Sequence, residues 1–386
     1  MAQSARRRGP RLYLGAVAAG ESGYFVLLAP LLPRLARSDH LSTREVGLLV
    51  AAYPVGMLVS SGVAGKLAGR WGARPVTIVA LVMLTASSLL FGFADNFSLL
   101  MTARVLQGLG ASAAWAGIVT WVVAGTPRAE QARVLGWIFG MAFAGTVVGP
   151  GVGGLASATS QRLIFILLAG VCAAAAVVTP RSAGAGIKDH TEEEDGGESI
   201  FRGIWASGLV LILMGVTSGL INAFGPLRLT NDHVSTFGIA AVFAVAYGAQ
   251  VIVSPLIGSI ADRYGPRNLA AGIALAGAAS LILVTLTSSP IPTAAAITLS
   301  YLLILALWTP GALIVNARFA ANPGTRAGAM NSAWAVGVVM GGVIWPHTGL
   351  SPQGAIAYLL AAALLAALGL SCQWRIRARA RQRYLT

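Results

Sequence analysis

The sequence predicts an all-α polytopic membrane protein of twelve transmembrane helices, arranged as two pseudo-symmetric six-helix bundles. Three observations lead there: the composition, a row of apolar runs of bilayer length, and a ten-residue segment that recurs half a chain later. Of 386 residues, 56% are hydrophobic and 10% charged, whereas a soluble domain carries roughly 25% charged residues. Such a chain cannot coat a globule with polar surface, so the bilayer is its solvent.

Runs of about 18 to 25 apolar residues, each long enough to cross a bilayer, lie between polar or Pro/Gly breaks. In the first half they cover approximately 12–33, 46–64, 75–94, 98–123, 134–157 and 162–179. In the second half they cover approximately 203–225, 236–258, 268–288, 292–316, 327–346 and 354–373. The first run follows Arg6, Arg7, Arg8 and Arg11 in the manner of a secretory signal. It is longer than a signal core, at about 20 residues, and holds an acid, so it reads as a retained helix. These runs give an N-terminal bundle over 1–180, a cytoplasmic linker over 181–202, and a C-terminal bundle with a basic tail over 203–386. The linker carries Lys188, Asp189 and His190 and the acidic run Glu192 to Asp195, the composition of a solvated tether.

The net charge of +14 invites a nucleic-acid reading, but the 27 Lys and Arg sit in short loops and at the ends, without a basic stripe interleaved with aromatics. Sorted by side, 21 share the compartment of both termini and five lie opposite: Arg34, Arg37, Arg44, Arg162 and Arg228. Arg104 falls deep inside a run. The positive-inside rule then places both termini in the cytoplasm. Cys172 and Cys372 are too far apart in sequence to suggest a disulfide framework or metal site.

The recurring segment is Gly65-Lys-Leu-Ala-Gly-Arg70-Trp-Gly72-Ala-Arg74, echoed by Gly258-Ser-Ile-Ala-Asp262-Arg263-Tyr-Gly265-Pro-Arg267 at an offset of 193 residues (258 − 65). Duplication of a six-helix unit explains it. Both copies resemble the cytoplasmic loop signature of the major facilitator superfamily, G-x-x-x-D-R-x-G-R-R, with Gly69 and Ala73 departing from it in the first copy. The resemblance implies cytoplasmic gate loops in which the acid and arginines latch one conformation.

The fifth run carries Gly136, Gly145, Gly149-Pro150 and Gly153-Gly154, which resembles the glycine-proline signature of the superfamily's drug:proton antiporters. Gly145, Gly149 and Gly153 recur every four residues as a smooth packing stripe, and Pro150 removes a backbone hydrogen bond. In the fourth run, Arg104-Val-Leu-Gln107-Gly108 is similar to the superfamily's R-x-x-Q-G motif. A guanidinium there costs roughly 2.5–3.5 kcal/mol on insertion scales unless it faces a partner or cavity. Glu21 lies about nine residues into the first run, near mid-bilayer, and is the only acid within any of the twelve runs. A lone carboxyl in that position is the natural proton carrier, with Arg104 influencing it.

Aromatic and amide residues within the runs are candidates to line a substrate cavity: Tyr24, Gln107, Trp115, Phe143, Asn222, Tyr247, Gln250, Trp308, Asn331 and Trp334. Tyr53, Phe139 and Asn316 lie among them. No Walker loop, metal-binding His cluster or hydrolase triad is present, so the chain reads as neither an enzyme nor an ATP-driven pump. Implied by the resemblance are two six-helix bundles around a central site, opening alternately to each face. The expected function is proton-driven export of small lipophilic or cationic compounds across the plasma (inner) membrane, by a monomer without cofactors. An importer of a nutrient or a non-transporting sensor are the alternatives.

Overall fold

The computed structural model describes residues 2–26, 28–38, 40–179, 208–318, 323–347 and 355–384, and the regular structure within them is helical. Two compact units divide the chain, Met1–Gly196 and Gly197–Thr386. The first contains α1 (Ala2–Val26), α2 (Leu28–Ser38), α3 (Thr43–Trp71), α4 (Ala73–Phe93), α5 (Phe97–Gly125), α6 (Arg128–Ala158) and α7 (Gln161–Val177). The second contains α8 (Leu209–Asn231), α9 (Thr236–Tyr264), α10 (Pro266–Leu286), α11 (Pro290–Ala306), α12 (Trp308–Arg318), α13 (Pro323–His347) and α14 (Ala355–Tyr384). The linker expected over 181–202 lies outside the described residues.

Among the described residues, eight segments are long and apolar enough to cross a bilayer, and three further apolar helices are shorter. One of the eight is interrupted, between α11 and α12. The interruption falls four residues ahead of a proline. Pro310 has no N–H to offer the carbonyl of Ala306, where α11 ends. The tenth expected span, 292–316, is therefore a broken helix and not a continuous one. Elsewhere the helix runs on through its proline, at Pro54, Pro150, Pro226 and Pro255.

Helix starts follow side-chain capping more closely than hydropathy. The side-chain oxygens of Ser42, Asn96, Ser160 and Ser235 accept the N–H groups of Glu45, Leu99, Leu163 and Gly238. At Ser42 the box is closed, because its own N–H donates to Glu45 Oε2 at 2.7 Å. The repeated loop segment turns on one glycine in each copy. Gly72 (φ 86°) and Gly265 (φ 82°) end α3 and α9, and their N–H groups donate back to Ala68 O and Ala261 O. A side chain at that φ is strained, so these glycines make the tight reversal into α4 and α10 possible.

The duplication extends to helix pairing. Within the first unit α1 packs on α6, α3 on α5, and α4 on both α5 and α7. Within the second, α8 packs on α13, α9 on α11, and α10 on both α11 and α14. Several of these pairs touch backbone to backbone. A Cβ on Gly145 would stand 2.0 Å from Ala19 O, and one on Gly108 2.0 Å from Tyr53 O. In the second unit, Cβ atoms on Gly337 and Gly341 would stand 2.1 and 2.4 Å from Ile212 O and Val216 O. In lipid no hydrophobic force drives helices together, and close packing at small residues takes that role.

Two arginines, one in each unit, serve as helix caps. Arg34 Nη1 donates to Ala156 O and Ser157 O (2.8 and 2.7 Å) at the C-terminal end of α6. Arg228 donates to Asp232 Oδ2 at 3.0 Å and to Thr287 O at 2.7 Å, at the end of α10. Both satisfy carbonyls that the helix ladder leaves open and sit at the negative end of a helix dipole.

The contact at Gly108 is predicted to be unforgiving. Gly108→Ala should lower the thermal unfolding midpoint of the purified protein, at a cost of about 1–3 kcal/mol for overpacking. Gly140, where an added Cβ meets nothing within 4 Å, is the matched control. Gly140→Ala should leave the midpoint unchanged or raise it, since alanine is the better helix former by up to about 1 kcal/mol.

Candidate functional site

The site is built from the crossing of α3 and α5 beside α1. Gly108 has no side chain, so the backbone of α3 comes down onto α5 at Tyr53, and Gly56 accepts the reverse approach with Val105 O 2.3 Å from an ideal Cβ. The crossing places the Tyr53 side chain between Arg104 on α5 and Glu21 on α1. The Tyr53 hydroxyl donates to Glu21 Oε1 at 2.6 Å. Trp115 Nε1, three turns beyond Arg104 on α5, donates to Glu21 Oε2 at 3.0 Å. Both carboxyl oxygens are thus held by neutral donors, and Glu21 is 4% exposed.

Arg104 is 3% exposed and does not pair with Glu21 among the described residues. Its Nη1 donates to Gln107 Oε1, its Nε donates to Leu49 O at 3.4 Å, and its Cζ lies 5.2 Å above the centre of the Tyr53 ring. The influence of Arg104 on Glu21 expected from sequence therefore passes through Tyr53: ring to the cation, hydroxyl to the carboxyl. Each residue of the fourth-run motif has a part in this arrangement. Arg104 supplies the cation, Gln107 the neutral acceptor, and Gly108 the gap that admits Tyr53. Gln107 Nε2 is buried with no partner among the described residues.

The other sequence candidates separate into distinct places. Tyr24, one turn after Glu21, is a packing peg: its hydroxyl meets Ser87 Oγ at 2.9 Å and its ring meets Phe165 edge-on. Phe143 is half-buried on α6. In the second unit, Tyr247 and Tyr301 hydroxyls meet at 2.8 Å, and Tyr301 donates to Asn222 Oδ1 at 3.0 Å. Gln250 Nε2 donates to Leu305 O at 3.2 Å, while its Oε1 is buried without a partner among the described residues. Trp308 and Trp334 are half-buried, and Asn331 is exposed. The side chains of Phe139 and Asn316 lie outside the described residues.

Along α6, Gly136 lies within the helix, Gly145 meets α1, and Gly149, Pro150, Gly153 and Gly154 are buried. Of the loop residues, Gly65, Arg70, Asp262 and Arg263 are exposed, Arg74, Gly258 and Arg267 are half-buried, and Arg263 lies over the ring of Tyr264. Sequence reasoning underrated Tyr53 and missed Tyr301. The usable signal for Tyr53 was the glycine at 108, because a bare position on one helix implies a close neighbour on another.

Residues 14–342 match the Major Facilitator Superfamily. The chain belongs to that superfamily. Members of that superfamily are membrane transporters rather than enzymes. Relatives include Multidrug resistance protein 2 of Bacillus subtilis, 24% identical over 63% of this chain and 64% of the relative. Quinolone resistance protein NorA of Staphylococcus aureus is 30% identical over 36% of each chain. The chain thus spans less than two thirds of the length of either of these curated relatives. A solved structure of a bacterial homolog of the human lysosomal transporter Spinster, inward-facing and unoccupied, superposes with a TM-score of 0.73 at 15% identity, covering 94% of each chain. This likeness establishes the superfamily fold.

For this superfamily member the Tyr53–Glu21 bond is the first contact to test. Tyr53→Phe keeps the ring beneath Arg104 and removes the donor, so unfolding stability should drop by about 1–3 kcal/mol. In a Glu21→Gln background the same change should not cost the same, because the two side chains share one bond and their effects are not additive. An unfolding midpoint that does not respond to Tyr53→Phe would remove this bond from the architecture.

Proposed function

We propose that the protein is a secondary active exporter that exchanges protons for small lipophilic or cationic compounds by alternating access. One observation carries this reading: Glu21 is a buried carboxyl held by Tyr53 and Trp115 and, among the described residues, by no cation. A carboxylate locked into an ion pair resists protonation. One held by neutral donors keeps its partners when the proton arrives, since a protonated carboxyl still accepts at its carbonyl oxygen and the tyrosine hydroxyl can turn to accept in its place. The same frame therefore supports both protonation states, as a group that must load and unload a proton requires.

In this mechanism Glu21 takes a proton from the side opposite the termini and releases it on the side of the termini. A cationic substrate competes with the proton for the carboxylate. Arg104 stands one tyrosine away, its guanidinium over the Tyr53 ring whose hydroxyl holds the carboxyl. Export, rather than import, is supported by relatives named for multidrug and quinolone resistance. The direction also rests on the 21-to-5 distribution of basic residues, which puts both termini in the cytoplasm of a plasma-membrane protein. The working unit is one chain, and the proton gradient is the energy source.

Two measurements test the reading. Reporter fusions after Arg181 and after Arg383 should both report cytoplasm; a periplasmic or extracellular signal from either would overturn the twelve-helix topology or the duplication. In proteoliposomes, Glu21→Gln should abolish efflux of a lipophilic cationic dye driven by a pH gradient, and Glu21→Asp should retain part of it. Gradient-driven flux in Glu21→Gln equal to that of the wild type would exclude Glu21 as the proton carrier.

A further inference from the structure

The intact copy of the repeated loop borders a groove on the second unit. Ile260 and Tyr264 of α9, Asn268, Gly272 and Ala276 of α10 and Leu303 of α11 line a cleft of about 450 Å³. Its walls are aliphatic, and a Cβ at Gly272 would meet nothing within 4 Å, so the cleft is open along α10. From Asn268 to Ala276 it runs eight residues, about 12 Å at 1.5 Å per residue. That is close to the ~15 Å depth of one hydrocarbon leaflet, half of a ~30 Å core.

Polar groups gather at one end only. Tyr264 is 57% exposed, and the Arg263 guanidinium lies 5.3 Å above its ring. Asn268 Nδ2 donates to Tyr264 O at 2.7 Å, which steadies the rim. Arg267 stands in the first turn of α10, beside Asn268. Asp262 is exposed beside them, and among the described residues neither arginine makes an ion pair. Two cations and one anion leave this mouth with a net charge of +1.

We infer that the groove is a binding site for one acyl chain of an anionic glycerophospholipid, with its phosphate held at the mouth by Arg263 and Arg267. The apolar walls fix where a chain lies but do not select among lipids, because one acyl chain is as apolar as another. Selection comes from the headgroup: a monoanionic lipid neutralises the mouth, and a zwitterionic one leaves it charged. A basic group near the bilayer surface contributes about 1 kcal/mol toward an anionic lipid, about a fivefold preference. Tyr264, aromatic with a polar tip, suits the level of the headgroups.

The test uses full-length protein in phosphatidylcholine vesicles doped with a photoreactive phosphatidylglycerol whose acyl chain carries a diazirine. Illumination and peptide mapping should concentrate label in 260–276, and unlabelled phosphatidylglycerol should compete at about fivefold lower mole fraction than phosphatidylcholine. Gly272→Phe should fill the cleft and abolish that label while labelling elsewhere on the lipid-facing surface persists. Gly272→Leu serves the same purpose with a smaller side chain. Arg263→Gln, a change at an exposed position, should leave the label in place but cancel the preference for the anionic competitor. Equal competition by the two lipids in the wild type, or groove labelling in both Gly272 variants equal to the wild type, would overturn the inference.

Discussion

Two helix backbones can come into contact only where a side chain is missing, and in a bilayer nothing else draws them together as firmly. The first unit depends on this at two places. At Gly145 the backbone of α6 reaches Ala19 on α1, two residues before Glu21; at Gly108 that of α5 reaches Tyr53 on α3. The acid and the tyrosine are therefore fixed by the same kind of contact, on helices that are far apart in sequence. The 2.6 Å bond between them is a product of those two crossings. The glycines of the two motifs are thus part of the site, even though they carry no chemistry.

The two units share their pairing pattern but not their chemistry. The first buries an acid and an arginine, joined through Tyr53. The second buries a neutral chain from Tyr247 through Tyr301 to Asn222, in which every link is a hydroxyl or an amide. Duplication preserved the helix contacts, and the charged residues diverged. Under the proposed mechanism, proton handling belongs to one unit, leaving the other free to make uncharged hydrogen bonds.

Much of the fold was legible in the sequence because hydropathy reports burial in lipid directly. The apolar runs located the helices, and the repeat at 193 residues anticipated that the second unit pairs its helices as the first does. What hydropathy could not show was where a helix breaks or begins. The break at Ala306 follows from Pro310, which lies inside an unbroken apolar run, and the helix starts are set by single capping side chains such as Ser42. The site was legible in part. Glu21 and Arg104 stood out because charge is rare in these runs, whereas Tyr53 looked like any aromatic in a membrane helix. Its role comes from a tertiary crossing, and only Gly108 hinted at it.

The capping arginines bear on how the protein is made. Arg34 leaves the ribosome 122 residues before the carbonyl of Ala156 that will hold it. During that interval it is an unsatisfied cation on a nascent helix, and it pulls against the orientation that Arg6, Arg7, Arg8 and Arg11 impose at the other end of the same segment. For the cytoplasmic termini of the proposed topology, the basic cluster at the start of the chain has to win that contest while α6 does not yet exist. Only later does the contact with α6 turn an opposing charge into a fastening, so the same residue hinders insertion early and secures the assembled helices afterwards.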